Sequence, residues 1–338
     1  MPVAPPMRLL IVKTSSLGDV IHQLPAITDM RRALPRAEID WVVEEGYADI
    51  PALHQGVASV IPVAVRRWRS ALGQAATWRE IAAFRDRVRS ARYDAVIDSQ
   101  GLLKSAMLAA AARGPRHGYD RASAREPLAA LFYGNRHRVD RGLHAIERNR
   151  RLAAAALGYA LEGGLDYGLW RMRATFARSA PRTVGLLTAS SRDAKRWPEP
   201  GWVALGRALH ERGLAAVLPA GSEAERARAS RIAAQIPGAC VLPPSSLASL
   251  AALLAGCEIV VGVDTGLTHL AAAVGRPVLA LYCDSEPGLT GVQADAGGGA
   301  TARNLGGRGA PPPLDAVLDA ARRLLAEGGP PTGESGSG

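Results

Sequence analysis

Eight short, β-branched apolar runs punctuate the chain, each separated from the next by Ala/Leu-rich stretches of helical character. They are RLLIVK (8–13), IDWVV (39–43), SVIPVAV (59–65), DAVIDSQ (94–100), TVGLLTA (183–189), LAAVLPA (214–220), EIVVGVD (258–264) and PVLALYC (277–283). Strands bounded in this way, with helices between them, read as parallel βαβ units. The fold class is α/β.

The pattern restarts at Thr183 after the irregular stretch GYALEGGLDYGLW and a break at Pro181. A chain of 338 residues suits two domains better than one. The expectation is therefore two doubly wound parallel-sheet domains, 7–170 and 182–326, facing each other across a cleft. Ligands would bind at the carboxyl ends of the strands. The Gly/Pro-rich run VQADAGGGATARNLGGRGAPPP reads as a long mobile loop, and residues 327–338 as a disordered tail.

No run reaches the ~18 to 20 apolar residues of a spanning helix, and MPVAPPMRLLIVK is too short in its apolar part for a signal peptide. A cytoplasmic protein is expected. Cys240, Cys257 and Cys283 match no metal spacing and read as small buried apolar residues. The chain has no Asp-x-Asp, and its seven histidines form no ligand pair at helical spacing, so no metal and no cofactor are expected.

The formal charge is +10, and it is concentrated: between Arg66 and Arg151 there are 18 Arg and 1 Lys against 8 acids, while the rest of the chain is close to neutral. A coding bias explains Arg in place of Lys, but not an excess over acids in one quarter of the chain. The partner is a polyanion: nucleic acid, an anionic membrane surface, or a phosphorylated or carboxylated substrate. No recognisable nucleic-acid module is present, which sets against a basic nucleic-acid-binding protein. The arginines of VAVRRWRS, RHGYDRASARE and NRHRVDRGLHAIERNRR suit carboxylates and phosphates, which they can grip two bonds at a time.

Three clusters sit where strands give way to helices. In KTSSLGDVIHQLPAITD the helical spacing starts at Val20, so Asp19 lies in the first turn, where a carboxylate either caps the helix or does chemistry. Pro25 should kink or restart that helix. In VVGVDTGLTHLAAAV the turn Asp264-Thr265-Gly266 opens a helix whose free N–H groups suit phosphate. Asp-Thr-Gly also marks aspartic proteases, but those need two such carboxylates in a mainly β fold. In LTASSRDAKRWPEPGW, Ser190 and Ser191 offer hydroxyls while Arg192 and Lys195 offer charge for a pyrophosphate. After LAAVLPA, either Glu223 or Glu225 could accept from ribose hydroxyls or simply open a solvated helix.

Taken in order, KTSSLGDVIHQLPAITD, WVVEEGYADIP, VIPVAVRRWR, YDAVIDSQGLLKSA, HGYDRASAREPLAALFY, SSRDAKRWPE and VDTGLTHLAAAVGRPVLALYCDSEPGL resemble glycosyltransferase family 9, and within it the heptosyltransferase I branch. The blocks run from about residue 7 to residue 290. The resemblance implies a GT-B fold with two Rossmann-like domains, the first for the acceptor and the second for the donor. It implies a metal-independent, inverting glycosyltransferase that moves L-glycero-D-manno-heptose from ADP-heptose to the inner Kdo of Kdo2-lipid A. The enzyme would sit peripherally on the anionic cytoplasmic face of the inner membrane, with no nucleic-acid partner.

By matching position, the resemblance makes Asp19 the general base, with Lys195 stabilising the departing diphosphate. Donor contacts would come from Ser190, Ser191, Lys195, Glu225, Ser245, Asp264, Thr265, Gly266 and His269, with Ser190 and Ser191 standing where the family commonly has threonines and Ser245 where it has a larger apolar residue against the adenine. Acceptor contacts would come from Arg66, Arg67 and Arg69, joined by Lys104, Arg116 and Arg125. The alternative within the family is a heptosyltransferase II type, which adds heptose to a heptose already in place.

Overall fold

The computed structural model describes residues 6–169, 182–190, 192–295 and 301–327. The chain divides into two compact units, residues 1–168 and 169–338, the division falling inside the irregular stretch 158–170. Pro181 and residues 328–338 of the expected tail lie outside the described residues, whereas Glu327 ends a helix.

The first unit is a six-stranded parallel sheet in the order β3-β2-β1-β4-β5-β6. Its strands are β1 (Arg8–Val12), β2 (Glu38–Glu44), β3 (Val57–Val63), β4 (Ala95–Asp98), β5 (Arg116–Tyr119) and β6 (Asn135–His137). Its helices are α1 (Leu17–Ile21), α2 (Leu24–Ala33), α3 (Asp49–Ala52), α4 (Val65–Ser70), α5 (Ala75–Arg89), α6 (Leu103–Ala111) and α7 (Ala145–Leu157). The central strand β1 places Ile11 between Trp41 and Ile97, and Leu9 to Val12 are fully buried, as a strand covered by helices on both faces must be.

The second unit repeats the plan in the order β12-β11-β10-β7-β8-β9. Its strands are β7 (Thr183–Leu187), β8 (Ala215–Leu218), β9 (Cys240–Val241), β10 (Ile259–Val263), β11 (Val278–Tyr282) and β12 (Ala302–Gly306). Its helices are α8 (Glu199–His210), α9 (Glu223–Ala233), α10 (Leu247–Gly256), α11 (Gly266–Ala273), α12 (Pro287–Thr290) and α13 (Leu314–Glu327). Trp202, Leu205, Val261, Leu279 and Leu324 are among the side chains buried in its core.

In each unit the first and fourth strands lie side by side, and the sheet is wound in opposite directions from that pair. The gap beyond their carboxyl ends is the topological switch point, where loops diverge and leave a crevice. In the first unit it receives the turns after β1 and β4, and in the second the turns after β7 and β10.

Several expectations are corrected. The run VQADAGGGATARNLGGRGAPPP is not one long loop: Ala302–Gly306 is an edge strand pairing with β11, too polar to be recognised by apolarity. Strands β5, β6 and β9 were likewise not expected. Val65–Ser70 forms the short helix α4, so its arginines stand on a helix rather than at a strand end. Cys240 is exposed on β9, while Cys257 and Cys283 are buried. Among the described residues, no helix is long and apolar enough to cross a membrane.

Candidate active site

In the first unit, β1 ends at Val12 and residues 13–16 turn the chain into α1. The turn is fastened from β4. The Gln100 side-chain carbonyl accepts from Thr14 N at 3.0 Å and Ser15 N at 3.3 Å, and its amide donates to Ser15 O at 2.5 Å. Gln100 is oriented in turn by Asp98, whose Oδ1 accepts from Gln100 N at 2.9 Å and from Gly101 N at 3.3 Å. Gly101 takes a φ of +67°, which glycine adopts without steric cost. The other Asp98 oxygen accepts from Ser105 Oγ at 2.8 Å and Tyr133 Oη at 2.6 Å. Burial raises the Asp98 carboxyl above its ordinary value, with these donors opposing the rise.

Asp19 is the third residue of α1, and Pro25 sits in the first turn of a separate helix, α2, because the chain breaks at His22-Gln23. Asp19 Oδ2 accepts from Ser16 N at 3.1 Å, so the carboxylate does cap its helix. Capping does not exhaust it. Arg125 forks the same carboxylate, Nη2 to Oδ1 at 2.6 Å and Nη1 to Oδ2 at 3.4 Å. Burial alone would raise the Asp19 carboxyl, but the Lys13 and Arg125 charges outweigh it and bring it down to about 2.

Lys13 is buried at the end of β1. Its ammonium donates to Ser99 O at 2.8 Å and Asn149 Oδ1 at 3.3 Å, and Asn149 donates to His22 O at 3.0 Å, tying α7 to the end of α1. Burial lowers the Lys13 ammonium to about 8, with Asp19 resisting the fall. Lys104 donates to Ser15 Oγ at 3.1 Å, so a third cation touches the turn.

The remaining acceptor candidates divide. Arg67 is held between Glu45 Oε2 at 3.0 Å and Glu80 Oε1 at 2.9 Å, and Trp68 shares Glu80 at 2.7 Å. It is thus an ion-paired strut rather than an open anion grip. Arg116 donates its Nε to Phe132 O at 2.8 Å. Arg66 and Arg69 are exposed on α4, and among the described residues neither side chain has a carboxylate partner. Part of the basic excess is likewise structural, as in Arg150, which is buried against Asp29 at 2.6 Å.

In the second unit, Lys195 follows β7 and Asp264 follows β10, and they meet at 2.5 Å. The same Asp264 oxygen accepts from Ser285 Oγ at 2.6 Å, and Oδ1 lies 3.9 Å from His269 Nε2. Burial would raise the Asp264 carboxyl, but its bonds with His269, Lys195 and Ser285 take it well below the usual carboxylate range. Gly262 leaves room for the Thr268 hydroxyl to donate to Val263 O at 2.7 Å, seating α11 against the strand end. Thr265 caps α11 without a side-chain bond, leaving the N–H groups of the first turn at Gly266 and Leu267 open to a ligand.

Ser190 is buried in the stretch after β7, and Ser191 lies outside the described residues. The loop that carries them is pinned by the buried Arg228, which donates to Thr188 O and Trp197 O, each at 2.7 Å. Glu225 caps α9: Oε2 accepts from Gly221 N at 2.9 Å and Ser222 N at 3.0 Å, whereas Glu223 is exposed. Ser245 is exposed and donates to Pro243 O at 2.9 Å.

Sequence reasoning missed Lys13, Asn149 and Gln100 in the first unit, and Arg228 and Ser285 in the second. A lone lysine ending an apolar strand was a usable signal for Lys13; the others carry none, since each acts on residues far away in the chain. Among the described residues, no group of three His, Cys, Asp or Glu is placed to hold a metal ion.

Residues 81–304 match the model of glycosyltransferase family 9 (heptosyltransferase). The chain is 51% identical over 287 residues to lipopolysaccharide heptosyltransferase 1 of Pseudomonas aeruginosa, covering 84% of this chain and 81% of that protein. The structure of E. coli heptosyltransferase WaaC with ADP superposes with a TM-score of 0.86 at 42% identity, over 96% of this chain and all of that one. The same E. coli enzyme with ADP-2-deoxy-2-fluoro heptose gives 0.82 at 41% identity, again over 96% of this chain and all of that one.

Proposed function

The chain belongs to glycosyltransferase family 9, the heptosyltransferases, and from that premise we propose that it builds the lipopolysaccharide inner core by moving L-glycero-D-manno-heptose from ADP-heptose to the inner Kdo of Kdo2-lipid A. It is a transferase of GT-B fold, with one doubly wound sheet in each unit. The observation that carries the reading is the pair of switch points: an ionised carboxylate among cations in the first unit, and a lysine beside an open helix N-terminus in the second.

In the proposed reaction the Kdo hydroxyl oxygen attacks the anomeric carbon of the heptose, and the bond from that carbon to the diphosphate oxygen breaks. Asp19 takes the hydroxyl proton, and ADP leaves with the electron pair. One displacement inverts the anomeric centre. Lys195 and the first N–H groups of α11 stabilise the charge growing on the diphosphate. Asp264, itself an anion, is better suited to aiming Lys195 than to touching phosphate.

A carboxyl held near 2 is a weak base while Arg125 grips it. An acceptor bearing its own carboxylates offers Arg125 a substitute partner. When the guanidinium turns to the sugar acid, Asp19 regains basicity at the hydroxyl it must deprotonate. Base activation would thus be coupled to arrival of the correct acceptor.

Similarity to a heptosyltransferase 1 along 84% of the chain favours the first transfer over a heptosyltransferase II reaction. The acceptor is lipid-anchored, so the enzyme would work against the anionic cytoplasmic face of the inner membrane. The test is mass spectrometry of Kdo2-lipid A after incubation with purified protein and ADP-heptose. One added heptose is expected, with Asp19→Asn binding ADP-heptose but giving no product. Product only from an acceptor that already carries heptose would overturn the assignment.

A further inference from the structure

Two contacting elements of the first unit expose large apolar side chains. On α6, Leu103 and Met107 are 38% and 59% exposed; on the 3-10 turn Pro127–Phe132, Leu128 and Leu131 are 55% and 60% exposed. Leu103 and Met107 are one α-helical turn apart, and Leu128 and Leu131 one 3-10 turn apart, so each pair forms a ridge. The elements pack through Ala106, Ala129, Ala130 and Tyr133, and Leu103 N donates to Glu126 Oε2 at 2.6 Å. Met107 follows Ala106, and Leu128 and Leu131 flank Ala129 and Ala130 in the chain, so both ridges border the same seam. Large apolar side chains exposed together in this way mark an interaction surface.

Its rim is mainly cationic, although it includes the exposed Glu126. Arg125 precedes the 3-10 turn, while Arg116 and Arg136 bond the carbonyls at its far end, Phe132 O at 2.8 Å and Tyr133 O at 3.2 Å. Lys104 follows Leu103. Two of these cations also reach the catalytic turn, Arg125 at Asp19 and Lys104 at Ser15. Apolar ridges ringed by Lys and Arg match the boundary of an anionic bilayer, where apolar groups enter the acyl region and cations meet phosphates.

We propose that this surface docks the protein on an anionic phospholipid bilayer, with Leu103, Met107, Leu128 and Leu131 entering the headgroup boundary. Lys104, Arg116 and Arg136 then lie at the phosphate level. Resting on the proposed function, the same contact delivers a membrane-embedded acceptor sugar-first to Asp19, because the patch and the base share Arg125.

The test is co-sedimentation of the full chain with vesicles of phosphatidylethanolamine and phosphatidylglycerol, which needs neither donor nor acceptor. Wild type should bind, and binding should fall roughly tenfold or more in L128E/L131E and in Met107→Glu, while Leu314→Glu, exposed on the second unit, binds like wild type. Turnover of bilayer-embedded acceptor should fall with binding in L128E/L131E, and turnover of a deacylated, water-soluble acceptor should not change. Vesicle binding unaltered in both apolar-to-acidic variants would overturn the proposal. So would a wild type that ignores vesicles but forms dimers abolished by L128E/L131E. Patch-dependent binding by a protein that transfers no heptose would sink the proposed function and leave the docking surface standing.

Discussion

Arg125 and Asp19, 106 residues apart, form a forked ion pair at the mouth of the first sheet, with Nη2 2.6 Å from Oδ1. The pair holds the proposed base ionised and weakly basic, and its removal has a definite sign. In Arg125→Ala the Asp19 carboxyl should rise from about 2, because burial is then opposed by Lys13 and His22 without the guanidinium. Carbon NMR of the labelled aspartate carboxyl would follow it. As the proposed base Asp19 would work as a carboxylate, so activity should be lost as pH falls through its pKa, and a higher pKa should move the acid limb upward. Saturating acceptor should produce the same rise in wild type. A carboxyl that titrates alike in all three samples would remove Arg125 from the mechanism.

Lys13 gives a second pH signature. Its ammonium sits near 8 in the fold against about 10.4 in an unfolded chain. Between those values the unfolded chain holds more protons, so linkage makes this residue's contribution to stability grow more favourable as pH rises from about 8 to about 10. Lys13→Met should lack that rise. Denaturant unfolding at pH 7.5 and pH 10 would compare the two proteins, and parallel curves would show that Lys13 is not buried as an ammonium. The same variant should raise the Asp19 carboxyl, by losing its nearest buried cation.

Gln100 makes three bonds to the backbone of the turn after β1, which carries the proposed base. Gln100→Ala should cost roughly 2–3 kcal/mol of stability at about 1 kcal/mol per bond. It should also lower turnover tenfold or more, since α1 loses its fixed origin, while ADP affinity is kept because the donor candidates belong to the other unit. Calorimetric ADP titration beside steady-state rates separates these. Equal losses of affinity and rate would point to global damage.

What was legible in the sequence follows from burial. Strands β1, β2, β4, β7, β10 and β11 are buried along most of their length, so each reads as a predominantly apolar run, broken in β2 only by the buried Asp40 inside it. The edge or near-edge strands RHGY, NRH, CV and ARNLG are short or polar and carry no such run. Asp19, Lys195 and Asp264 could be singled out because each stands where an apolar run stops. Gln100 and Arg228 could not: their partners are reached only when parallel pairing brings β4 beside β1 and when α9 packs under the loop after β7. The arginine excess was legible as a total but not in its division, because Arg67 and Arg150 are distinguished from Arg66 only by the carboxylates the fold sets against them.

Lys195 and Asp264 pose the sharpest question, because an anion beside the proposed diphosphate site can either help or hinder. Their contact is 2.5 Å, with the side chains 18% and 11% exposed, and Ser285 shares the oxygen that holds the ammonium. Lys195→Ala removes the cation and leaves a largely buried carboxylate held only by Ser285 and His269, so ADP affinity should fall by roughly 30-fold or more, in line with truncation of one partner of a buried charge pair. Asp264→Asn keeps the shape and deletes the negative charge. If the carboxylate only repels phosphate, that variant binds ADP more tightly than wild type. If it aims Lys195, the variant binds ADP less tightly and turns over more slowly despite the lost repulsion, and this is the expected outcome. A double-mutant cycle on ADP affinity should then give a coupling of about 1–3 kcal/mol. Additive effects with tighter binding in Asp264→Asn would make the ion pair a feature of the empty site alone.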